Sequence, residues 1–342
     1  MLASAGLLAA VVSCSSGTTT SGSTESSGSV TESAAGLQQQ YESVVTSVLP
    51  SVVQIFTADS TGSGVVYDSK GDIVTNAHVV GGESAVKVIP ATGGEAVTAN
   101  VLGKFSGGDL AVIRVESDAS KLKAATFGNS DNVRAGQIVL AMGNPLGLTG
   151  SVSQGIVSAL GRTVSAAGTA GGQTTTITDA IQTTAAINGG NSGGALVSLS
   201  GQVIGIPTAA ARDPQAGAAP GIGFAIPSDI VTNIANQIIS TGKVTNSGRA
   251  SLGISATTVA TTDGQEVGVG LVSVTPGEGA AEAGLRAGDV IVQVAGHHTP
   301  NVAALNAVLA QLEPGQQVEV KYLRQGSDST STVKVTLSSL TS

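Results

Sequence analysis

Three residues of this chain have the types and the surroundings to move a proton and attack a carbonyl: His78, Asp109 and Ser192. The serine lies in Asn188-Gly189-Gly190-Asn191-Ser192-Gly193-Gly194-Ala195-Leu196, where small residues leave it open to approach from several sides. Acyl transfer needs such a hydroxyl on a tight turn, with backbone N–H groups aimed at the oxyanion that forms on attack. The donors expected here are the N–H groups of Gly190 and Ser192. A glycine-rich hairpin turn is the competing reading, since the chain carries 47 glycines. The serine needs a base, and the sequence offers only three histidines, His78, His297 and His298. His78 closes Gly71-Asp72-Ile73-Val74-Thr75-Asn76-Ala77-His78, an apolar run of strand character, and so is expected at a strand end. Asp109, in a loop just before Leu110-Ala111-Val112-Ile113, is the carboxylate placed to hold the imidazole in the tautomer that accepts the serine proton. The order His, Asp, Ser is that of the double β-barrel arrangement, whereas unrelated folds carry the same three residues in other orders.

Taken together, Thr75-Asn76-Ala77-His78-Val79-Val80, Asp109-Leu110-Ala111-Val112, Gly190-Asn191-Ser192-Gly193-Gly194-Ala195-Leu196 and Gly221-Ile222-Gly223-Phe224-Ala225-Ile226-Pro227 resemble the HtrA (Deg) family of serine proteases. The resemblance runs over residues of roughly 40 to 340. It implies a mainly β chain, a chymotrypsin-like double β-barrel followed by an α+β PDZ domain, that works as an ATP-independent endopeptidase of the cell envelope. Unfolded or misassembled proteins are the implied substrates, with no cofactor and commonly a homotrimer. A proteolytically weak holdase or scaffold that binds exposed C-termini is the alternative. Two positions depart from the family pattern, Thr184 where an aspartate is usual and Gly189 where proline is common. The residue six before the nucleophile lines the specificity pocket in double-barrel proteases, which points to Ala186, with Ile187 beside it and Gly221, Ile222, Gly223 and Phe224 as the far wall. No carboxylate stands there to pair with a basic side chain, so cleavage after small or medium aliphatic residues is expected.

The elements that must position these residues are legible in outline. With 342 residues and 41% hydrophobic content the chain can bury two cores. Aromatic residues are only 2% and tryptophan is absent, so the cores must be aliphatic, which suits small barrels. Leu37 to Val48 reads as a short helix, the first barrel as running to about 125 and the second from Gln137 to Ile226. Residues 161–178, rich in Gly, Ala and Thr, read as a mobile loop. Pro227-Ser228-Asp229 opens a helix closed at Gly242, completing a protease domain over 37–242. A linker over 243–250 leads to a PDZ domain over 251–340. There Leu252, Gly253 and Ile254 resemble the carboxylate loop of such domains, which would capture a C-terminal peptide, and Leu305 and Leu309 are expected on a helix capped by Asn301, either as core or as groove wall. His297 and His298 have no metal-ligand pattern around them and read as an exposed turn, so no metal is expected. The net charge of −8, from 15 basic and 23 acidic residues without a basic cluster, argues against nucleic acid as a partner.

The lone cysteine sits in Val11-Val12-Ser13-Cys14, after an apolar run too short to span a membrane, and resembles a bacterial lipobox. On that reading residues 1–13 are a signal peptide and Cys14 carries a lipid. A Ser-, Thr- and Gly-rich tether over 14–36 would then hold the enzyme off the extracytoplasmic face of the membrane. A plain secretory signal, giving a secreted or periplasmic protein, and a cytoplasmic chain with a disordered head are the alternatives.

Overall fold

Short β-branched runs separated by turns account for most of this chain, and in a computed structural model they curl into two barrels and a smaller sheet. Residues 26–58, 60–116, 119–144, 150–166, 175–213, 217–327 and 329–342 are described. The chain divides into Met1–Glu42 and Ser43–Ser342. Helix α1 covers Ser26–Val48, so the segment expected as tether up to 36 is helical from Ser26. Once a helix is nucleated over the more C-terminal turns, each further residue is fixed for one hydrogen bond, so the helix propagates towards its N-terminus. Residues 1–13 and Cys14 lie outside the described residues.

The first barrel consists of β1 (Val52–Phe56), β2 (Thr61–Val66), β3 (Asp72–Thr75), β4 (Ala85–Pro90), β5 (Val97–Phe105) and β6 (Leu110–Val115), closed in the order β1-β2-β3-β6-β5-β4. The one-turn helix α2 (Ala77–Val80) follows β3. Val53, Ile55, Ile73, Val88 and Ile113 fill the barrel without an aromatic ring, as the composition requires. Strands β3 and β6 pair with Thr75 opposite Ala111 and Asp72 opposite Arg114. At the Asp72 end the buried carboxylate receives a two-pronged bond from Arg114, Nε to Oδ1 at 2.6 Å and Nη2 to Oδ2 at 2.7 Å. That fork pins the register of two strands whose other ends lead to His78 and Asp109.

The second barrel consists of β7 (Ile138–Gly143), β8 (Ser151–Ala166), β9 (Thr175–Thr183), β10 (Ala195–Ser198), β11 (Val203–Asp213) and β12 (Gly217–Pro227), closed in the order β10-β11-β12-β9-β8-β7. Strands β8 and β9 extend into the region expected as a loop, with Val164 opposite Ile177 and Ser165 opposite Thr176. The β-branched residues at both ends of that region prolong the ladder, and 167–174 lie outside the described residues. Helix α3 (Ser228–Thr241) packs Val231, Ile234, Ala235 and Ile238 against β5, β6 and β11, so it bridges both barrels. It ends as expected at Gly242, whose φ of 73° is left-handed and whose N–H donates to Ile238 O at 2.8 Å.

The C-terminal part has its own core, built on Leu252, Val269, Leu271, Ile291, Val320 and Val335. Its elements are β13 (Ala250–Ser251), β14 (Ile254–Ala260), β15 (Glu266–Val274), α4 (Gly279–Glu282), β16 (Val290–Val294), β17 (His297–His298), α5 (Val302–Leu309), β18 (Gln317–Leu323), β19 (Thr330–Thr336) and β20 (Ser338–Ser339). The sheet runs β14-β15-β16-β18-β19, with β17 on β16 and a separate pair β13-β20. Asn301 caps α5 as expected, its Oδ1 accepting the Ala304 N–H at 2.7 Å.

Candidate active site

Because β3 and β6 are neighbours, the residues just beyond Thr75 and just before Leu110 meet. His78 stands in α2, not at the strand end itself, and Asp109 follows a 3-10 turn over Ser106–Gly108 in a left-handed conformation, φ 54° and ψ 42°. The imidazole Nδ1 lies 2.8 Å from Asp109 Oδ2 and 3.0 Å from Oδ1, and a carboxylate can only accept, so Nδ1 carries the proton. Asp109 is held from three further sides. The His78 backbone N–H donates to Oδ1 at 3.0 Å, Thr208 Oγ1 of β11 donates to Oδ2, and Asn76 Nδ2 donates to the Asp109 carbonyl at 3.0 Å. Burial by itself pulls the His78 pKa down, but the hydrogen bond and the charge of Asp109 together outweigh it, and the group is raised above its usual value. The imidazole side chain is 45% exposed, Asp109 only 8%, so the ring faces the substrate side from a buried anchor.

Ser192 is brought to the same region from the second barrel. Its carbonyl accepts the Ser63 N–H at 2.9 Å, a bond from β2 across to the nucleophile loop. Gly193, φ 80°, lies so close to the Ser63 carbonyl that any Cβ there would collide with it. Among the described residues no hydrogen bond joins Ser192 Oγ to the imidazole; Oγ donates to Asn188 O at 3.3 Å. Such contacts are commonly loose before substrate binds and tighten with it. Of the two expected oxyanion donors, the Ser192 N–H has no acceptor among the described residues. The other, the Gly190 N–H, donates to Asn188 Oδ1 at 3.0 Å. An asparagine side chain accepting the N–H two residues on is a standard local turn, and the pattern Asn-x-Gly in the sequence carries that signal. Ser63, Asn76, Asn188 and Thr208 are therefore site residues that the sequence reading did not single out.

The two departures from the family pattern have ordinary structural answers. The Thr184 hydroxyl accepts the Ile156 N–H at 2.9 Å and so ties the loop to β8. Nothing crowds Gly189 and its φ is not left-handed, so its backbone needs no glycine. Of the expected pocket residues, Ile187 touches Gly223. Ala186 is exposed and its carbonyl accepts from Ser153 Oγ and Asn191 Nδ2. Gly221 and Ile222 are exposed, whereas Phe224 is buried in the core beside Ile206 and Ile226.

A second feature lies on the C-terminal sheet. A cavity of about 520 Å³ runs between edge strand β14 and α5, lined among others by Leu252, Ile254, Val302, Leu305 and Leu309. Leu305 is buried in the core and Leu309 is half-buried against it, and both line the cavity. Gly253, φ 72°, sits in the loop between Leu252 and Ile254 that opens the groove. Arg249 lies at its end and donates to Gly107 O, two residues before Asp109. Burial pulls its guanidinium down to about 10, partly offset by the charge of Asp179. His297 and His298 are exposed, and no cluster of three or more metal-binding side chains occurs among the described residues.

Two closed barrels with a His–Asp pair from one and a glycine-flanked serine from the other, followed by a sheet with a strand-and-helix groove, define a trypsin-like serine peptidase joined to a PDZ domain. Family comparison agrees: residues 62–206 match the trypsin-like peptidase domain and residues 250–335 the PDZ domain. The serine protease PepD of Mycobacterium tuberculosis is 39% identical over 86% of this chain and 65% of its own length. The Do-like HtrA of Lactobacillus helveticus is 40% identical over 81% and 68%. The periplasmic serine endoprotease DegP of Salmonella typhimurium is 41% identical over 78% and 54%. The solved structure of the HtrA-type protease AlgW with a decapeptide matches at a TM-score of 0.57 and 29% identity, covering 88% of this chain and 98% of that one. The chain belongs to the HtrA family of serine proteases. It spans between about half and two thirds of the length of these three curated relatives.

Proposed function

We propose that this chain is an endopeptidase that cleaves unfolded or misassembled proteins, with Ser192 as nucleophile, His78 as general base and then acid, and Asp109 as the group that orients and stabilises the imidazolium. The observation that carries the reading is the His78 Nδ1–Asp109 contact at 2.8 Å in the same barrel to which the loop of Ser192 is bonded through Ser63. Attack by Ser192 Oγ passes its proton to His78 Nε2, and the Ser192 N–H meets the oxyanion. Ala186, Ile187 and Gly223 favour small or medium aliphatic residues on the acyl side. The edge of β14 and the wall of α5 support binding of a C-terminal peptide as an added strand, with its carboxylate in the loop at Leu252, Gly253 and Ile254.

For location, no helix among the described residues is long and apolar enough to cross a membrane. A periplasmic or lipid-anchored envelope position accords with the sequence around Cys14 and with the location in DegP's name. A trimer is the assembly we expect from the family. The holdase alternative is disfavoured by an acid–base pair that has no other evident purpose. The deciding experiment is digestion of unfolded casein by the purified chain beside its Ser192→Ala variant, with product sequencing. Digestion that survives in the variant refutes the nucleophile, and a majority of cuts after Lys or Arg refutes the pocket.

A further inference from the structure

Ser63, in the glycine-flanked segment Gly62-Ser63-Gly64 of β2, is fully buried and uses every polar atom it has on the active-site side of the barrel. Its N–H donates to Ser192 O at 2.9 Å, and its Oγ donates to Gly190 O at 2.6 Å while accepting the Asn144 N–H at 2.9 Å. Its own carbonyl accepts Thr75 Oγ1 at 2.6 Å. One first-barrel residue thus holds two carbonyls of the nucleophile loop and the backbone just past β7. We propose that Ser63 is a positioning residue for peptide-bond hydrolysis, whose hydroxyl sets the orientation of the Gly190–Asn191 peptide and with it the oxyanion site.

The physical reason is the rigidity of the peptide plane. With Gly190 O fixed on Ser63, the Asn191 N–H must point the other way, and it does, donating to Asn188 O at 3.2 Å. The Gly190 carbonyl is thereby kept turned out of the position a substrate oxyanion must take. Remove the hydroxyl and a half-buried carbonyl loses its donor, a loss it can relieve by turning towards the N–H groups meant for the substrate. A hydroxyl rather than an apolar side chain at position 63 is therefore a requirement of the transition state, not only of barrel contact.

The inference rests on Ser192 being the nucleophile, so the test separates the two. The full chain and Ser63→Ala are compared for hydrolysis of a chromogenic peptide, affinity for a peptide boronic acid that forms a tetrahedral serine adduct, labelling by a fluorophosphonate, and thermal unfolding. The expected result is a fall in kcat of about tenfold or more, less than the roughly hundredfold loss of a direct oxyanion donor. KM should stay within about twofold, boronate affinity should fall in parallel with kcat, and Ser63→Thr, which keeps the hydroxyl, should recover most of it. If Ser63→Ala does not fold, Ser63→Cys, similar in volume but a weak donor, takes its place with the same expected pattern. Wild-type kcat and boronate affinity in the folded variant overturn the proposal, as does a loss matched by KM. A wild type that takes no label at Ser192 refutes the triad itself; a labelled wild type with an unaffected Ser63 variant refutes only the role of Ser63.

Discussion

The acid–base half of the site and the nucleophile half are built to different standards. Asp109 is buried, held by His78, Thr208 and Asn76, and anchored by a strand pair whose register is locked at its far end by Asp72 and Arg114. In the Ser192 loop two carbonyls are held from outside by Ser63, but the Gly190 N–H and the Ser192 hydroxyl are both directed to Asn188 within the loop. One half has its hydrogen bonds directed at the imidazole; the other has its donors bonded within the loop. The difference teaches where control can act: on the loop, where single hydrogen bonds decide the geometry, and not on a carboxylate held from several sides.

The largest effects should fall on the chemistry common to both halves. Ser192→Ala should lower kcat by about a millionfold with folding intact, and His78→Ala should match it without adding to it in the double variant. Casein digestion and thermal unfolding check both. Asp109→Asn keeps the shape but reverses the hydrogen-bond role towards Nδ1, and should cost about 10⁴-fold in kcat. A loss below about tenfold would mean that the acid–base half is not set by Asp109 at all.

Next comes the anchor of that half. Arg114→Ala leaves the buried Asp72 carboxylate without its fork and should destabilise the chain by ~2–3 kcal/mol, less than a fully buried pair because the Arg114 side chain is 39% exposed. Urea denaturation reads this, and an unchanged midpoint would remove Arg114 from the account. On the other half, Asn188→Ala frees the Gly190 N–H from a bond worth about 1 kcal/mol, so basal hydrolysis of a short peptide should rise, up to about fivefold. Should the variant instead be as inactive as Ser192→Ala, Asn188 supports the loop and does not restrain it, and the contrast between the halves fails.

The smallest effect is in pH dependence. On the proposed mechanism His78 accepts the serine proton only when neutral, and its pKa is raised, so the acid limb of kcat/KM should lie above the ordinary histidine value of 6.5. Without the negative charge of Asp109 burial alone acts, and in Asp109→Asn the limb should move below it. For stability the sign runs the other way: the His78–Asp109 contribution is fully present below pH 6.5 and fades as pH rises through the raised folded value. Rate profiles of the two proteins at constant ionic strength decide the matter.

What this sequence determined by itself is what local chemistry encodes. Alternating β-branched runs specified barrels, an αL glycine after a periodic apolar face ended α3 at Gly242, Asn301 capped α5, and the residues flanking Ser192, His78 and Asp109 are small or strand-ending for reasons visible one segment at a time. The helix start at Ser26 and the strand extension into 161–178 escaped because propagation of a helix or a ladder depends on what is already formed beside it. Only the tertiary structure decided which partners reach the site. Thr208 and Asp109 are far apart in the chain, as are Ser63 and Gly190, and each pair meets because two barrels close against one another. Phe224 likewise is buried because both faces of β12 are covered there, its own joining the core that contains Ile226 and the helix residues Val231 and Ile234. A hydrogen bond between distant residues leaves no mark in either local sequence, since serine, threonine and asparagine serve equally well as turn formers, and only the packing of the strands selects which of them face the reacting atoms.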